Sequence, residues 1–187
     1  MKGATRPTMR ALYALFAKPH ERARRAAEHY AAIVAQARRP EFYESLGVPD
    51  TLDGRFDLIV LHASIYLKRL RAAGAQGHDL AQAVFDNMFD NLDQSLRELG
   101  VGDVTLPKKI RAMVSAFYGR AAAYDKALVE ADEGALAEAL TRNIYAGKTA
   151  NAEAVSRLSA YLRASASLLA AAHDDAILAN QFQWPTP

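Results

Sequence analysis

The chain has 187 residues, of which 51% are apolar and 24% charged, and it contains no cysteine. A chain of this length builds one well-buried core and is short for two independent domains. The lack of cysteine excludes disulfides, thiolate metal centres and cysteine nucleophiles, and it is typical of a reducing, intracellular compartment. The longest uncharged apolar run, Leu58 to Leu67, is about half of the ~20 residues that a membrane span needs. We therefore expect one intracellular domain with extensions and no export signal.

The small net charge of +2 hides an uneven distribution. Residues 1–40 carry nine Lys and Arg against two Glu, whereas the rest of the chain carries 14 basic against 19 acidic residues. A basic arm of this kind suits an anionic surface, either lipid headgroups or nucleic-acid phosphates. Charged side chains exposed to solvent on ordinary helices explain the uneven charge equally well.

The first predicted helix lies within this arm and ends before Pro19, which breaks the pattern. Its apolar residues share one side and its cations flank that side, as in a helix that lies on a membrane surface. The candidate membrane-surface residues are Arg6, Met9, Arg10, Leu12, Tyr13, Phe16 and Lys18.

Helical periodicity continues along the rest of the chain, and no stretch alternates as a strand would. A second helix covers about 21–36, and Gly47 and Pro49 mark the turn that follows. Asp50 or Thr51 then caps a third helix, which is apolar nearly all round and must be central.

Four further helices complete the predicted all-α bundle of about six to seven helices. The fourth carries an apolar stripe that ends with Leu96 and Leu99, and the C-terminal "QFQWPTP" is a tail with Trp184 docked. The fourth helix is predicted to end at about 99, and the three that follow are predicted to cover about 107–130, 132–145 and 151–178. The predicted division is 1–40 for the basic helical arm, 41–183 for the all-α domain and 184–187 for the tail.

The sequence offers little catalytic or metal-binding chemistry. Asp86, Asp90 and Asp93 share a helical face that could supply oxygen ligands, but no Glu-x-x-His motif accompanies them. A solvated face with an Asp93–Arg97 ion pair is the simpler interpretation. His62, in the central helix, needs a hydrogen-bond partner there. We predict no catalytic residue, no metal and no cofactor.

The stretch "GVGDVTLPKKIRAM", 100–113, places three cations at the start of a helix. Gly100 suits the C-terminal cap of the preceding helix, and Thr105 suits the N-cap of the next. The positive end of the helix dipole disfavours cations there by roughly 0.3–1 kcal/mol each. They therefore form an anion-attracting cluster, unless Asp103 and the upstream carboxylates neutralise them. The candidate partner- or anion-binding residues are Lys108, Lys109, Arg111 and Arg120.

Two segments carry a resemblance to a known family. "FYESLGVPDTLDGRFDLIVLH", 42–62, and "MFDNLDQSLRELGVGDVTLPKKIRAMVSAFYGRAAAY", 88–124, together resemble the ubiquinol–cytochrome c chaperone family of cytochrome bc1 complex assembly factors. The match runs with similar order and spacing from about Tyr30 to Tyr145. Asn91 departs from the pattern, since the family carries Asp there more often.

This resemblance implies a non-enzymatic helper that receives newly made cytochrome b. It implies contact with the inner membrane or the ribosome, and a small partner subunit, with no DNA involved. A bacterial member would act in the cytoplasm at the inner membrane, and a eukaryotic one in the mitochondrial matrix.

An apolar groove between helices would take up a transmembrane segment of this client. Phe117, Tyr118 and Tyr124 are candidates for its wall, although aromatic residues at helical spacing also suit a core. A lipid- or isoprenoid-binding protein would use a similar cavity, a metalloenzyme would use the carboxylates, and an RNA-binding protein would use the arm.

Overall fold

The computed structural model describes residues 9–146 and 150–187, with side chains from His20 onward. All regular structure in these ranges is helical, which confirms the predicted all-α bundle. The described helices offer no segment with the length and hydropathy of a membrane span. The helices are α1 (Met9–Ala37), α2 (Pro40–Glu44), α3 (Leu52–Ala72), α4 (Gly74–Glu98), α5 (Leu106–Val129), α6 (Glu133–Ile144), α7 (Ala152–Ala171) and α8 (Asp174–Leu178).

Helix α3 is the central helix, as its all-round apolar sequence predicts. It packs against α1, α4, α5, α6, α7 and α8, and its residues from Phe56 to Leu67 are all buried. Thr51 caps it, because the Thr51 side chain accepts a hydrogen bond from the Gly54 backbone N–H at 3.1 Å. A Cβ at Gly54 would lie 2.1 Å from the Pro49 carbonyl oxygen, so only glycine fits this entry to the helix.

Helix α1 corrects the prediction of a break at Pro19. The backbone is helical from Met9 to Ala37 without interruption. A proline has a helical φ and removes only one N–H donor, so the bonds on either side can carry the helix through it. The second half of α1 belongs to the core, because Ala26, Tyr30 and Ile33 are buried.

Helix α4 lays its apolar stripe on α3 and α1, with Phe85, Met88 and Leu96 buried. Leu99, expected on this stripe, is instead exposed, because α4 ends one residue earlier and Gly100 turns the chain away with a φ of +82°. Gly100 thus has the predicted left-handed conformation.

A polar and aromatic centre lies where the C-terminal tail closes over α1 and α3. His62 Nδ1 donates to the Leu58 carbonyl oxygen at 2.7 Å, and His62 Nε2 accepts from the Tyr161 hydroxyl at 2.8 Å. These partners confirm a satisfied core histidine, and burial lowers its pKa to about 4. The Trp184 ring lies 5.0 Å from the His62 ring, so the tail is docked as predicted.

Candidate functional site

An open groove of about 730 Å³ lies between the C-terminal halves of α3, α5 and α7. Ile65, Leu128 and Leu169 supply its apolar floor, and Val129 at its edge is 71% exposed. Ala72 on α3 and Ala166 and Ala170 on α7 also line it, and their small side chains leave the groove open. The complete lining is Ile65, Lys68, Arg69, Ala72, Asp125, Leu128, Val129, Arg163, Ala166, Ser167, Leu169, Ala170 and Asp174. We call this the α3/α5/α7 groove.

All three cations in the groove wall have a carboxylate partner. Lys68 Nζ pairs with Asp125 and so joins α3 to α5. Arg69 Nη2 lies 2.6 Å from Asp174 and also donates to the Ala172 carbonyl oxygen, which joins α3 to the end of α7. These pairs hold the groove walls together, and their charges are compensated within the chain.

Arg163, the third cation, is compensated only loosely. Its Nε lies 3.3 Å from a carboxylate oxygen of Glu133, which is 82% exposed, and this contact lacks hydrogen-bond geometry. Within the described residues, Arg163 Nε and Nη2 are buried and have no hydrogen-bond partner. The charge of Arg163 is therefore paired with that of Glu133, while its Nε and Nη2 are closed to solvent.

The aromatic residues proposed for client binding lie elsewhere. Phe117 and Tyr124 are buried in the core, whereas Tyr118 is 53% exposed beside Phe85. None of the three lines the α3/α5/α7 groove. Their role in client binding stays a prediction, with Tyr118 the accessible member.

The cluster of Lys108, Lys109 and Arg111 occupies the exposed side of the first turns of α5. Ile110 on the opposite side packs against the core. No carboxylate of the described chain lies within the 4.0 Å of an ion pair with these cations, and the nearby Asp103 is instead bound to Arg97 at 2.5 Å. The alternative interpretation, in which Asp103 and the upstream carboxylates neutralise the cluster, therefore finds no support in the ion pairs of the described chain.

Thr105 occupies the N-cap position of α5 but does not cap it with its side chain. Its hydroxyl donates instead to the Gly102 carbonyl oxygen at 3.1 Å. The preceding Val104 is 96% exposed.

Arg120 lies apart from the basic cluster, further along α5. Its Nη2 lies 2.8 Å from Asp57 Oδ1, and its guanidinium lies 5.9 Å from the centre of the Phe56 ring. Burial raises the pKa of Asp57 to about 6, against the opposing effect of Arg120 and with a small contribution from Asp53. Arg120 thus has a partner within the fold, and its proposed role in binding an external anion stays a prediction.

The remaining predicted features lie on α4 and α1. Asp86 accepts from Gln82 at 2.7 Å and Asp93 pairs with Arg97 at 2.7 Å, as expected of a solvated face. The described residues contain no group of three side chains that could hold a metal ion. Arg6 lies outside the described residues, and only the helical backbone is described for Met9, Arg10, Leu12, Tyr13, Phe16 and Lys18, so the membrane-surface role stays a prediction.

The groove could be found only from the folded structure. Its lining comes from three helices that are far apart in the sequence, and no local pattern joins them. The one local signal is the alanine content of α7, where 160–171 has small side chains at most positions. Fold and groove together define a class: an all-α protein with an open, largely apolar groove between three helices.

Comparison with known proteins identifies the family. The model of the ubiquinol-cytochrome C chaperone family matches residues 44–184, and the chain belongs to that family. The chain is similar to the ubiquinol-cytochrome-c reductase complex assembly factor 1 of Xenopus laevis, with 27% identity over 83% of this chain and 78% of that protein.

Two further relatives agree with this assignment. Protein CBP3, mitochondrial, of Saccharomyces cerevisiae is 30% identical over 57% of this chain and 32% of its own length. The crystal structure of the Cbp3 homolog from Brucella abortus superposes with a TM-score of 0.82 at 35% identity, covering 94% of this chain and 97% of that one. The resemblance noted in the sequence is thereby confirmed, and the names of these relatives support a role in assembling the cytochrome bc1 complex.

Proposed function

We propose that this protein is a non-enzymatic chaperone that binds newly made cytochrome b and promotes assembly of the ubiquinol–cytochrome c reductase complex. The observation that carries the proposal is the α3/α5/α7 groove, which presents apolar side chains to solvent on a member of this family. Membrane-protein clients expose apolar helices before their own bundle is complete. A groove with this lining can cover one side of such a helix.

The driving force is the removal of apolar surface from water. Each Å² of apolar surface that client and groove cover together contributes about 25 cal/mol, before the costs of association. Only part of this remains as affinity, so the client can still be released into the growing complex. Release is what distinguishes a chaperone from a permanent subunit.

The place of action in this proposal is the surface of the inner membrane, or the ribosome that makes the client. The uncompensated cations at the start of α5 and the basic N-terminal arm would face anionic groups there. A small partner subunit would complete the complex.

A second candidate function, lipid binding, would use the same groove. Its volume of about 730 Å³ lies within the range of small-molecule pockets, and its apolar floor with a cationic wall would suit a lipid or isoprenoid with a polar head. Mass spectrometry of the purified protein distinguishes the two, because a lipid carrier would retain a stoichiometric lipid.

The test of the proposed function is affinity capture of the tagged protein from its native host after cross-linking. We expect cytochrome b among the bound proteins, and we expect its recovery to fall when Val129 at the groove edge is changed to Asp. Val104→Asp is the matched control, since Val104 is also an exposed valine but lies just before the other end of α5. Absence of cytochrome b from the captured proteins, with the protein stably expressed, would contradict the proposal.

A further inference from the structure

The connection between α4 and α5, residues 99–105, holds two large apolar side chains out in water. Leu99 is 63% exposed and Val104 is 96% exposed, the highest exposed fraction among the large apolar side chains of the described chain. Single exposed apolar residues are ordinary on protein surfaces, but here two lie within one short connection. Exposed apolar side chains that occur together mark a surface that another apolar phase covers.

The backbone holds this connection in a defined turn. The Val101 N–H donates to the Leu96 carbonyl oxygen at 3.0 Å, and the Thr105 N–H donates to the Gly102 carbonyl oxygen at 2.9 Å. Leu96 before the turn and Leu106 after it are both buried, so each end is anchored in the bundle. The outward side chains are therefore displayed by a hydrogen-bonded turn.

Cations follow the apolar side chains directly. The first turns of α5 carry the exposed basic cluster, which has no ion-pair partner in the described chain: Lys108, Lys109 and Arg111. Against these three cations, residues 99–111 contain one carboxylate, that of Asp103. Asp103 is bound to Arg97 at 2.5 Å, so its charge is already engaged. The connection thus presents apolar side chains beside a net positive charge.

A bilayer with anionic headgroups matches both features. Its headgroup phosphates attract cations, and the acyl boundary just below them takes up apolar side chains. RNA offers phosphates too, but it would leave Leu99 and Val104 in water. Stable attachment to a membrane surface generally takes two signals, and an apolar contact beside a basic patch supplies both.

We propose that the α4–α5 connection inserts Leu99 and Val104 into the interface of an anionic bilayer while the basic cluster binds the headgroup phosphates. The inference rests on the proposed function, whose place of action is the inner membrane, and it names the surface that makes the contact. Insertion would also orient the bundle. The groove edge at Val129 lies at the other end of α5, whose 24 residues extend roughly 36 Å at 1.5 Å per residue.

The lack of cysteine allows a site-specific test. Leu99→Cys and Val104→Cys each receive the fluorophore NBD, whose emission rises and shifts to the blue in apolar surroundings. The labelled full chain is mixed with vesicles of phosphatidylglycerol and phosphatidylcholine in equal parts, or of phosphatidylcholine alone. We expect both labels to respond to the anionic vesicles and neither to respond to the neutral ones.

A second substitution tests the apolar contact itself. Leu99→Ser, read by the label at position 104, should weaken partition into the anionic vesicles about tenfold, because burial of the leucine side chain is lost. The basic cluster still attracts such variants to the membrane. Val104→Asp, which keeps the cluster, therefore remains the control for client capture.

Val129→Cys is the matched control for the labels, since Val129 is also an exposed valine but lies at the groove end of α5. Its label should not respond to vesicles. Changing the three cations of the basic cluster to Gln should abolish the response at position 104. Circular dichroism of each variant checks its folding.

No response of the labels at positions 99 and 104 to anionic vesicles, with both proteins folded, would overturn the inference. An equal response at position 129 would overturn the placement of the contact in the α4–α5 connection. A response at position 104 to polyuridylic acid that vesicles do not produce would overturn the bilayer as the partner. Failure to capture cytochrome b, with both labels responding, would leave this inference standing and remove the proposed client instead.

Discussion

The two ends of helix α5 treat their charges in opposite ways. At its C-terminal end, beside the groove, Asp125 neutralises Lys68 of α3. At its N-terminal end, Lys108, Lys109 and Arg111 face solvent without an ion-pair partner in the described chain. About 24 Å of helix separates Lys109 from Asp125 at 1.5 Å per residue. Paired charges of the first kind hold helices together, whereas unpaired ones of the second kind are available to an external anion.

The middle of α5 shows a third arrangement. Arg120 is mostly buried and pairs with Asp57, whose pKa is raised by burial despite the neighbouring cation. One helix thus carries an exposed basic cluster, an internal ion pair and a groove wall. Substitutions in the cluster, in the ion pair and at the groove edge separate these three parts.

The largest effect is expected at the basic cluster. Each cation near an anionic membrane contributes about 1 kcal/mol, so changing Lys108, Lys109 and Arg111 together to Glu should weaken association with such vesicles at least about a hundredfold. Co-sedimentation with phosphatidylglycerol-containing vesicles measures this, and the loss should shrink as salt rises. An unchanged bound fraction, with the thermal melt also unchanged, would remove the cluster from the mechanism.

The internal ion pair predicts a pH effect. The pKa of Asp57 is raised from 3.8 to about 6, so the folded protein keeps a proton that the unfolded chain has lost between these values. The contribution of Asp57 to the free energy of unfolding therefore falls as pH rises through this window.

Asp57→Asn removes that contribution. Between pH 3.5 and 7, the free energy of unfolding of Asp57→Asn should change relative to the wild type by about 3 kcal/mol in favour of the variant. Urea titrations at several pH values measure it, and the subtraction cancels His62, whose lowered pKa acts in both proteins. A pH-independent difference would show that Asp57 has an ordinary pKa.

A smaller effect on binding is expected at the C-terminal end of α5, beside the groove. Val129→Asp introduces a charge beside the apolar floor and should weaken capture of cytochrome b by about tenfold, since the charge must lose water when the client binds. Quantitative immunoblotting of captured material measures it. Vesicle association should stay as in the wild type, and loss of both activities would argue against separate roles for the two ends.

The smallest effect is expected at Tyr124. Its buried hydroxyl lies beside the Asn143 side chain but makes no hydrogen bond of full geometry with it, so Tyr124→Phe should change the free energy of unfolding by less than about 1 kcal/mol. Thermal unfolding measures it. A loss of several kcal/mol would show that the hydroxyl has a partner in solution.

Local chemistry accounts for the part of the fold that sequence could predict. Thr51 as a cap, Gly100 as a left-handed turn and His62 as a satisfied core residue each follow from one residue and its neighbours. The prediction of a helix break at Pro19 was wrong because a proline weakens a helix without always ending it. The prediction that Leu99 lies on the buried stripe of α4 was wrong because the helix ends before the periodic pattern does.

The site was harder to predict because it depends on contacts between distant residues. The partner of Arg120 is 63 positions earlier, and the walls of the groove come from three helices. Phe117 and Tyr124 illustrate the difficulty: their spacing suits a groove and a core equally, and packing places both in the core. Arg163 carries no sequence signal of its own, since its place in the groove wall is a property of the folded chain.

The proposed function depends on binding of the client in the α3/α5/α7 groove. A photo-crosslinking amino acid placed at Val129 in the native host tests this binding, with the same amino acid placed at Tyr118 for comparison, since both positions are exposed on α5. We expect a light-dependent adduct with newly made cytochrome b from position 129 and little or none from position 118. An adduct from position 118 alone would contradict the groove as the client site and would place the client on the aromatic patch beside Phe85 instead.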